Sequence, residues 1–122
     1  MQTRRRPDWY QAAMGQLDKL QASAAEYEDE ESIFPSDEVF RAAREFLRLL
    51  EIKAEEKRLE EPKLSPSPNG HLVLRFGASA QILNIRFKPE VSFVMQNGRT
   101  ELAKGKDADQ ALELAFQKFQ IR

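Results

Sequence analysis

The stretch from Asn69 to Gly98, NGHLVLRFGASAQILNIRFKPEVSFVMQNG, restricts the fold more than any other part of the chain. Its apolar residues alternate with polar ones, the period of a strand with one buried face. Leu72, Leu74 and Phe76 fall on one side of a first strand, His71–Phe76, with His71, Val73 and Arg75 on the other. Leu83, Ile85 and Phe87 share a face of a second strand, Ala80–Lys88, opposite Asn84, Arg86 and Lys88. Val91, Phe93 and Met95 do the same in a third, Val91–Gln96. Gly77-Ala-Ser and Lys-Pro-Glu at 88–90 supply turns, and Asn97-Gly98 is a strong hairpin signal that predicts a short fourth strand over Arg99–Ala103.

Such a sheet must be covered on its apolar face. The covering material is legible on both sides of it. Pro7 suits the first turn of a helix, because its missing N–H would have no partner there. From Tyr10 the positions Tyr10, Ala13, Leu17, Leu20, Ala24 and Tyr27 repeat at alternating spacings of 3 and 4, an a/d stripe. That stripe serves either a neighbouring helix of the same chain or a homodimeric seam centred on Leu17 and Leu20. The acidic run EYEDEE at 26–31 opposes the dipole of a helix C-terminus and reads as a solvated connection.

A second helix is expected over about 36–60. Ser36 stands at the N-cap position, Asp37 and Glu38 follow in the first turn, and Val39, Ala43, Phe46, Leu47 and Leu50 form one stripe with Phe40 beside it. Pro62 ends it. Residues 62–70, PKLSPSPNG, read as a stiff linker that ends in a turn. After Gly105, Asp107 is placed to cap a last helix whose stripe is Ala108, Ala111, Leu112, Ala115, Phe116 and Phe119. The expected architecture is a single α+β domain. An N-terminal αα-hairpin (1–61) leads through the Pro-rich linker (62–70) into a four-stranded antiparallel meander, and a C-terminal helix lies on the apolar sheet face (71–122).

Charge is divided between these halves. The chain has net charge −1, so no overall bias draws it to nucleic acid or acidic membranes. Residues 62–106 nevertheless carry Lys63, Arg75, Arg86, Lys88, Arg99, Lys104 and Lys106 against only Glu90 and Glu101. Residues 1–61 carry the compensating acidic excess. If the apolar sheet residues face inward, then Arg75, Arg86 and Lys88 share the outer face with His71 and Asn84. A basic β-surface suits a nucleic-acid backbone or an acidic protein. The aromatic platforms of single-strand binders are missing from it, since Phe76, Phe87 and Phe93 fall on the core side.

Enzymatic constellations do not emerge. There is no cysteine and one histidine, His71, which reads as an exposed residue at a hairpin entrance. Neither a nucleophile elbow nor a phosphate-binding glycine loop is present, and no zinc or EF-hand spacing occurs. No cofactor or metal is expected. The three arginines at 4–6 lack an apolar segment behind them, so no secretory signal is expected, and no run approaches the roughly 18 apolar residues that span a bilayer. A cytoplasmic protein without membrane contact is the expectation. Trp9, beside the arginines, is placed either as an interface anchor or as a clasp on the chain's own core.

At PSPNGHLVLRF the chain resembles a loose class of small bacterial proteins of unknown function. In these, a helical N-terminal half leads through a Pro-x-Pro-Asn-Gly turn into a strand of alternating apolar residues. Pro66, Pro68, Asn69, Gly70, Leu72, Leu74 and Phe76 carry the likeness. It implies a bacterial or phage origin and a place among accessory, antitoxin-like or defence-related proteins, without assigning an activity. The reading expected from the whole sequence is a non-enzymatic module that meets another protein. Its candidate contact residues are Arg75, Arg86, Lys88, Leu17, Leu20 and Trp9, with a homodimer through the first helix or a nucleic-acid partner as alternatives.

Overall fold

A computed structural model describes residues 7–23, 34–67, 69–77, 80–88 and 90–121. The acidic run at 26–31, the basic lead at 1–6 and the stripe positions Ala24 and Tyr27 lie outside the described residues. The same holds for the turn residues 78, 79 and 89.

Three helices and five strands follow one another as α1 (Asp8–Ser23), α2 (Asp37–Ala54), β1 (Lys63–Pro66), β2 (Leu72–Phe76), β3 (Gln81–Phe87), β4 (Val91–Asn97), β5 (Thr100–Gly105) and α3 (Ala108–Lys118). The sheet is an antiparallel meander in chain order, β1-β2-β3-β4-β5. It therefore has one strand more than the four expected. The extra strand comes from the Pro-rich segment: Lys63 pairs with Arg75, Leu64 with Leu74, Ser65 with Val73 and Pro66 with Leu72. Proline cannot donate to a ladder and is confined to edge strands, and β1 is an edge.

All three helices lie on one face. The rows Leu72–Phe87–Val91, Leu74–Ile85–Phe93 and Phe76–Leu83–Met95 run across β2, β3 and β4 in register. Eight of these nine side chains are at most 2% exposed, and Val91 is half-buried. Val39, Phe40, Ala43, Phe46, Leu47 and Leu50 of α2 join them in one core with Ala111, Leu112 and Ala115 of α3. Phe46 meets Phe87 edge-on at 5.5 Å between ring centroids, and Phe119 packs on Phe76 at 5.7 Å. Each such ring contributes on the order of 1.5–3 kcal/mol by leaving water. No polar or charged side chain among the described residues is buried.

Helix α2 stops six residues short of the expected end. Ser36 occupies the N-cap with extended backbone but makes no side-chain cap bond. At the other end Glu55 turns to φ 53°, and the chain runs on as a strap against the C-terminus. Glu60 N–H donates to the Phe119 carbonyl, Ile121 N–H donates to the Arg58 carbonyl, and Leu59 is buried between them. Burying Leu59 outweighs the helix propensity of a segment rich in Glu and Lys. Asp107 caps α3 as expected, its carboxylate accepting from Asp109 N–H at 2.9 Å.

Ion pairs tie the helices together. Arg44 reaches Asp18 of α1 at 2.7 Å, and Lys53 reaches Glu113 of α3 at 2.6 Å. The hydrogen bond from Lys53 holds the Glu113 carboxyl below its usual range. That tie is therefore fully present at neutral pH and is lost as acid protonates Glu113 in the folded chain.

Gly77 has φ +87°, and a Cβ there would lie 2.1 Å from the Gln81 carbonyl oxygen and 2.9 Å from the Phe119 ring. Only glycine fits this turn between β2 and β3.

The β1 edge is closed by a side chain. Gln16 of α1 donates through Nε2 to the Pro62 carbonyl at 3.0 Å and accepts at Oε1 from Leu64 N–H at 2.8 Å. Its amide thus stands where the next strand would be. Gln16→Ala leaves two partly buried backbone groups without partners and is expected to lower unfolding free energy by about 1–3 kcal/mol. Gln117→Ala, which loses an exposed contact at 2.6 Å to Glu113 of the same helix, should change it by less than about 0.5 kcal/mol. Urea unfolding of the two variants checks the difference.

Candidate functional site

With every helix on one side, the other face of the sheet is left uncovered by the described residues. Its side chains follow from the register. One outer row runs Lys63–Arg75–Asn84–Val94–Lys104, and the next runs Ser65–Val73–Arg86–Ser92. The pairing thus puts Arg75, Asn84 and Arg86 on one face as expected, and Lys88 follows the end of β3 beyond Arg86. All three cations are exposed.

The face has two further cations at its far end. Gly105 sits against the Phe93 ring, where an added Cβ would lie 3.1 Å from two ring atoms. With Gly105 pointing to the core, its neighbours Lys104 and Lys106 both point to the open face. The fourth strand expected from the sequence ends at Ala103 and leaves these two lysines outside it. Strand alternation about Gly105 was the signal that finds them. A register shift opposite Met95/Gln96 leaves Leu102 as an extra residue in β5, 49% exposed, and restores the alternation after it.

Between β3 and the end of β5 this face is concave and encloses about 950 Å³. Arg86, Lys88, Lys104 and Lys106 line it around a floor of Val73 and Val94, with Asn84, Ser92 and Gln96 offering hydrogen-bonding groups. No carboxylate of the described residues lines the concavity. Lys104 makes a loose pair with Glu101 at 3.9 Å. Arg86, Lys88 and Lys106 have no ion pair among the described residues. Glu90 and Glu101 stand outside, as an acidic margin. The cations extend across β3, β4 and β5, two strand spacings or about 10 Å. Arg75 lies apart from them, beside Lys63 and near Glu60 and Glu61 in a separate shallow depression.

The remaining expected contact residues belong to the core. Trp9 is 4% exposed and Leu17 is fully buried, while Leu20 is half-buried against them. The stripe of α1 is thus filled by its own chain, and the homodimeric seam centred on Leu17 has no free surface at that residue. Trp9 meets Tyr10 edge-on at 5.9 Å, in the role of a clasp. Its indole borders a second concavity of about 630 Å³ between the start of α1 and residues 55–59. Its Nε1 is buried without a partner among the described residues, as is Nδ1 of His71. His71 is half-buried rather than exposed. Among the described residues no three His, Cys, Asp or Glu side chains converge as a metal site, and no helix is long and apolar enough to cross a membrane.

No protein-family model matches the chain, and no curated protein or solved structure matches it significantly.

A side chain that the fold does not use can be changed without unfolding the protein. Arg86→Ala, Lys88→Ala and Lys106→Ala are each expected to shift unfolding free energy by less than about 0.5 kcal/mol. Equilibrium unfolding in urea checks this, and it qualifies these positions for binding experiments.

Proposed function

We propose that the protein is a non-enzymatic interaction module whose open sheet face docks a compact acidic surface of another protein, in the manner of an accessory or inhibitor subunit. The carrying observation is the concave face itself: Arg86, Lys88, Lys104 and Lys106 around a floor of Val73 and Val94, with no carboxylate of the described residues in the concavity. Close approach of two or three carboxylates displaces water from that floor and pairs the free cations. The half-buried valines add apolar contact that a phosphate backbone does not use.

Nucleic acid is the second reading, supported by the free cations Arg86, Lys88 and Lys106. Two features weigh against it. The cationic area spans about 10 Å and is bordered by Glu90 and Glu101, whereas duplex binding draws on many phosphates along a continuous track. Among the described residues the face also carries no exposed aromatic ring on which a single strand would stack.

Fluorescence anisotropy with poly-L-glutamate and with a DNA duplex of about 20 base pairs tests the choice, both at low salt. Poly-L-glutamate is expected to bind more tightly than the duplex, and Arg86→Glu with Lys88→Glu should weaken it at least about tenfold. Tighter binding of the duplex, lost in the same variant, establishes the nucleic-acid reading instead. Binding of both probes that ignores the variant contradicts both readings.

A further inference from the structure

The two edges of the sheet are treated differently. At β1 the backbone is closed by the Gln16 amide, which bonds the Pro62 carbonyl and the Leu64 N–H, and Pro66 has no N–H to offer. At β5 no described residue pairs with the outer side, and the strand is exposed along most of its length. An open edge offers a row of backbone donors and acceptors to any extended segment.

From this asymmetry we infer that an extended acidic segment of a protein partner adds to β5 as a sixth strand. This rests on the reading of the open face as an acidic-protein site and specifies how the partner enters it. The charge on β5 selects the occupant. A second copy of the chain pairing β5 antiparallel to β5 across the regular stretch Ala103–Gly105 sets Lys104 against Lys104, with Lys106 close by on the same face, and like charges facing each other across strands destabilise the pair. The same lysines, with the extra residue Leu102, protect the edge from neutral strands. They attract a strand that carries carboxylates on the face continuous with Lys104 and Lys106.

Beyond the irregularity at Leu102 the pairing of β4 with β5 is regular through Ala103, Lys104 and Gly105. That stretch is where an added strand finds a straight template. Alternation then places every second residue of the segment beside Lys104 and Lys106, and the residues between toward the α3 side of the sheet. The recognised pattern is therefore an acidic residue alternating with an apolar one, read by main-chain hydrogen bonds for affinity and by the lysines for selection.

The test uses the full chain and a fluorescent peptide of about ten residues alternating glutamate and valine. Two N-methylated forms of it block one backbone edge or the other. The parent peptide is expected to bind. One N-methylated form should lose at least about tenfold in affinity while the other keeps it, because an added edge strand uses only one of its own edges. Lys104→Ser with Lys106→Ser should weaken the parent by a similar factor. Failure of the parent to bind, or equal binding of both N-methylated forms, overturns strand addition. If that binding still falls with Arg86→Glu, the open face remains the docking site and only the mode of entry is wrong. Loss on N-methylation that ignores Arg86→Glu keeps strand addition and removes the sheet face from the site.

Discussion

Phe46 of α2 and Phe87 of β3 meet edge-on at 5.5 Å, and the arrangement of the whole chain depends on contacts of this kind. The sheet's large apolar side chains are buried on one face, and these must leave water. One layer of helices accomplishes this. Val39, Phe46 and Leu50 of α2 and Leu112 and Ala115 of α3 come from opposite ends of the chain to cover the same rows. Nothing remains in the described residues to cover the second face, and nothing apolar enough to require it. That face is consequently where charge accumulates, and where the protein has surface to offer.

Much of this layout is legible in the sequence because it follows from two periods. The alternation at Leu72–Leu74–Phe76, Leu83–Ile85–Phe87 and Phe93–Met95 defines the sheet's inner face, and the stripes of α2 and α3 define what covers it. Two elements were hidden for a common reason: a long-range partner overrides the local preference. Residues 63–66 look like a proline linker until Gln16 and β2 pair with their backbone from both sides. Residues 55–60 look helical until the C-terminal residues Phe119–Ile121 draw Leu59 into the core. Neither partner is adjacent in sequence, so neither is visible to local propensity.

The candidate face was legible in part. Arg75, Arg86 and Lys88 follow directly from strand alternation. Lys104 and Lys106 do not, because an extra residue at Leu102 shifts the phase and Gly105 resembles a terminator. Trp9 and Leu17 show a different ambiguity, since an a/d stripe is the same pattern whether its partner helix lies in the chain or outside it. Here α2 and β1 fill it. The near-neutral total charge thus conceals a basic sheet face, with Glu38, Glu45 and Glu56 among the exposed carboxylates of the helical layer and its strap. The two surfaces of one small domain are electrostatically distinct, and the basic one is concave.

The central claim is that the uncovered face, rather than the helical layer, is where an anionic partner sits. Backbone amide chemical-shift mapping during a titration with poly-L-glutamate measures this residue by residue. The largest changes are expected at Arg86, Ser92, Val94 and Lys104, with α2 and α3 little affected. Changes concentrated on the solvent side of α2, around Leu49 and Ile52, would contradict it.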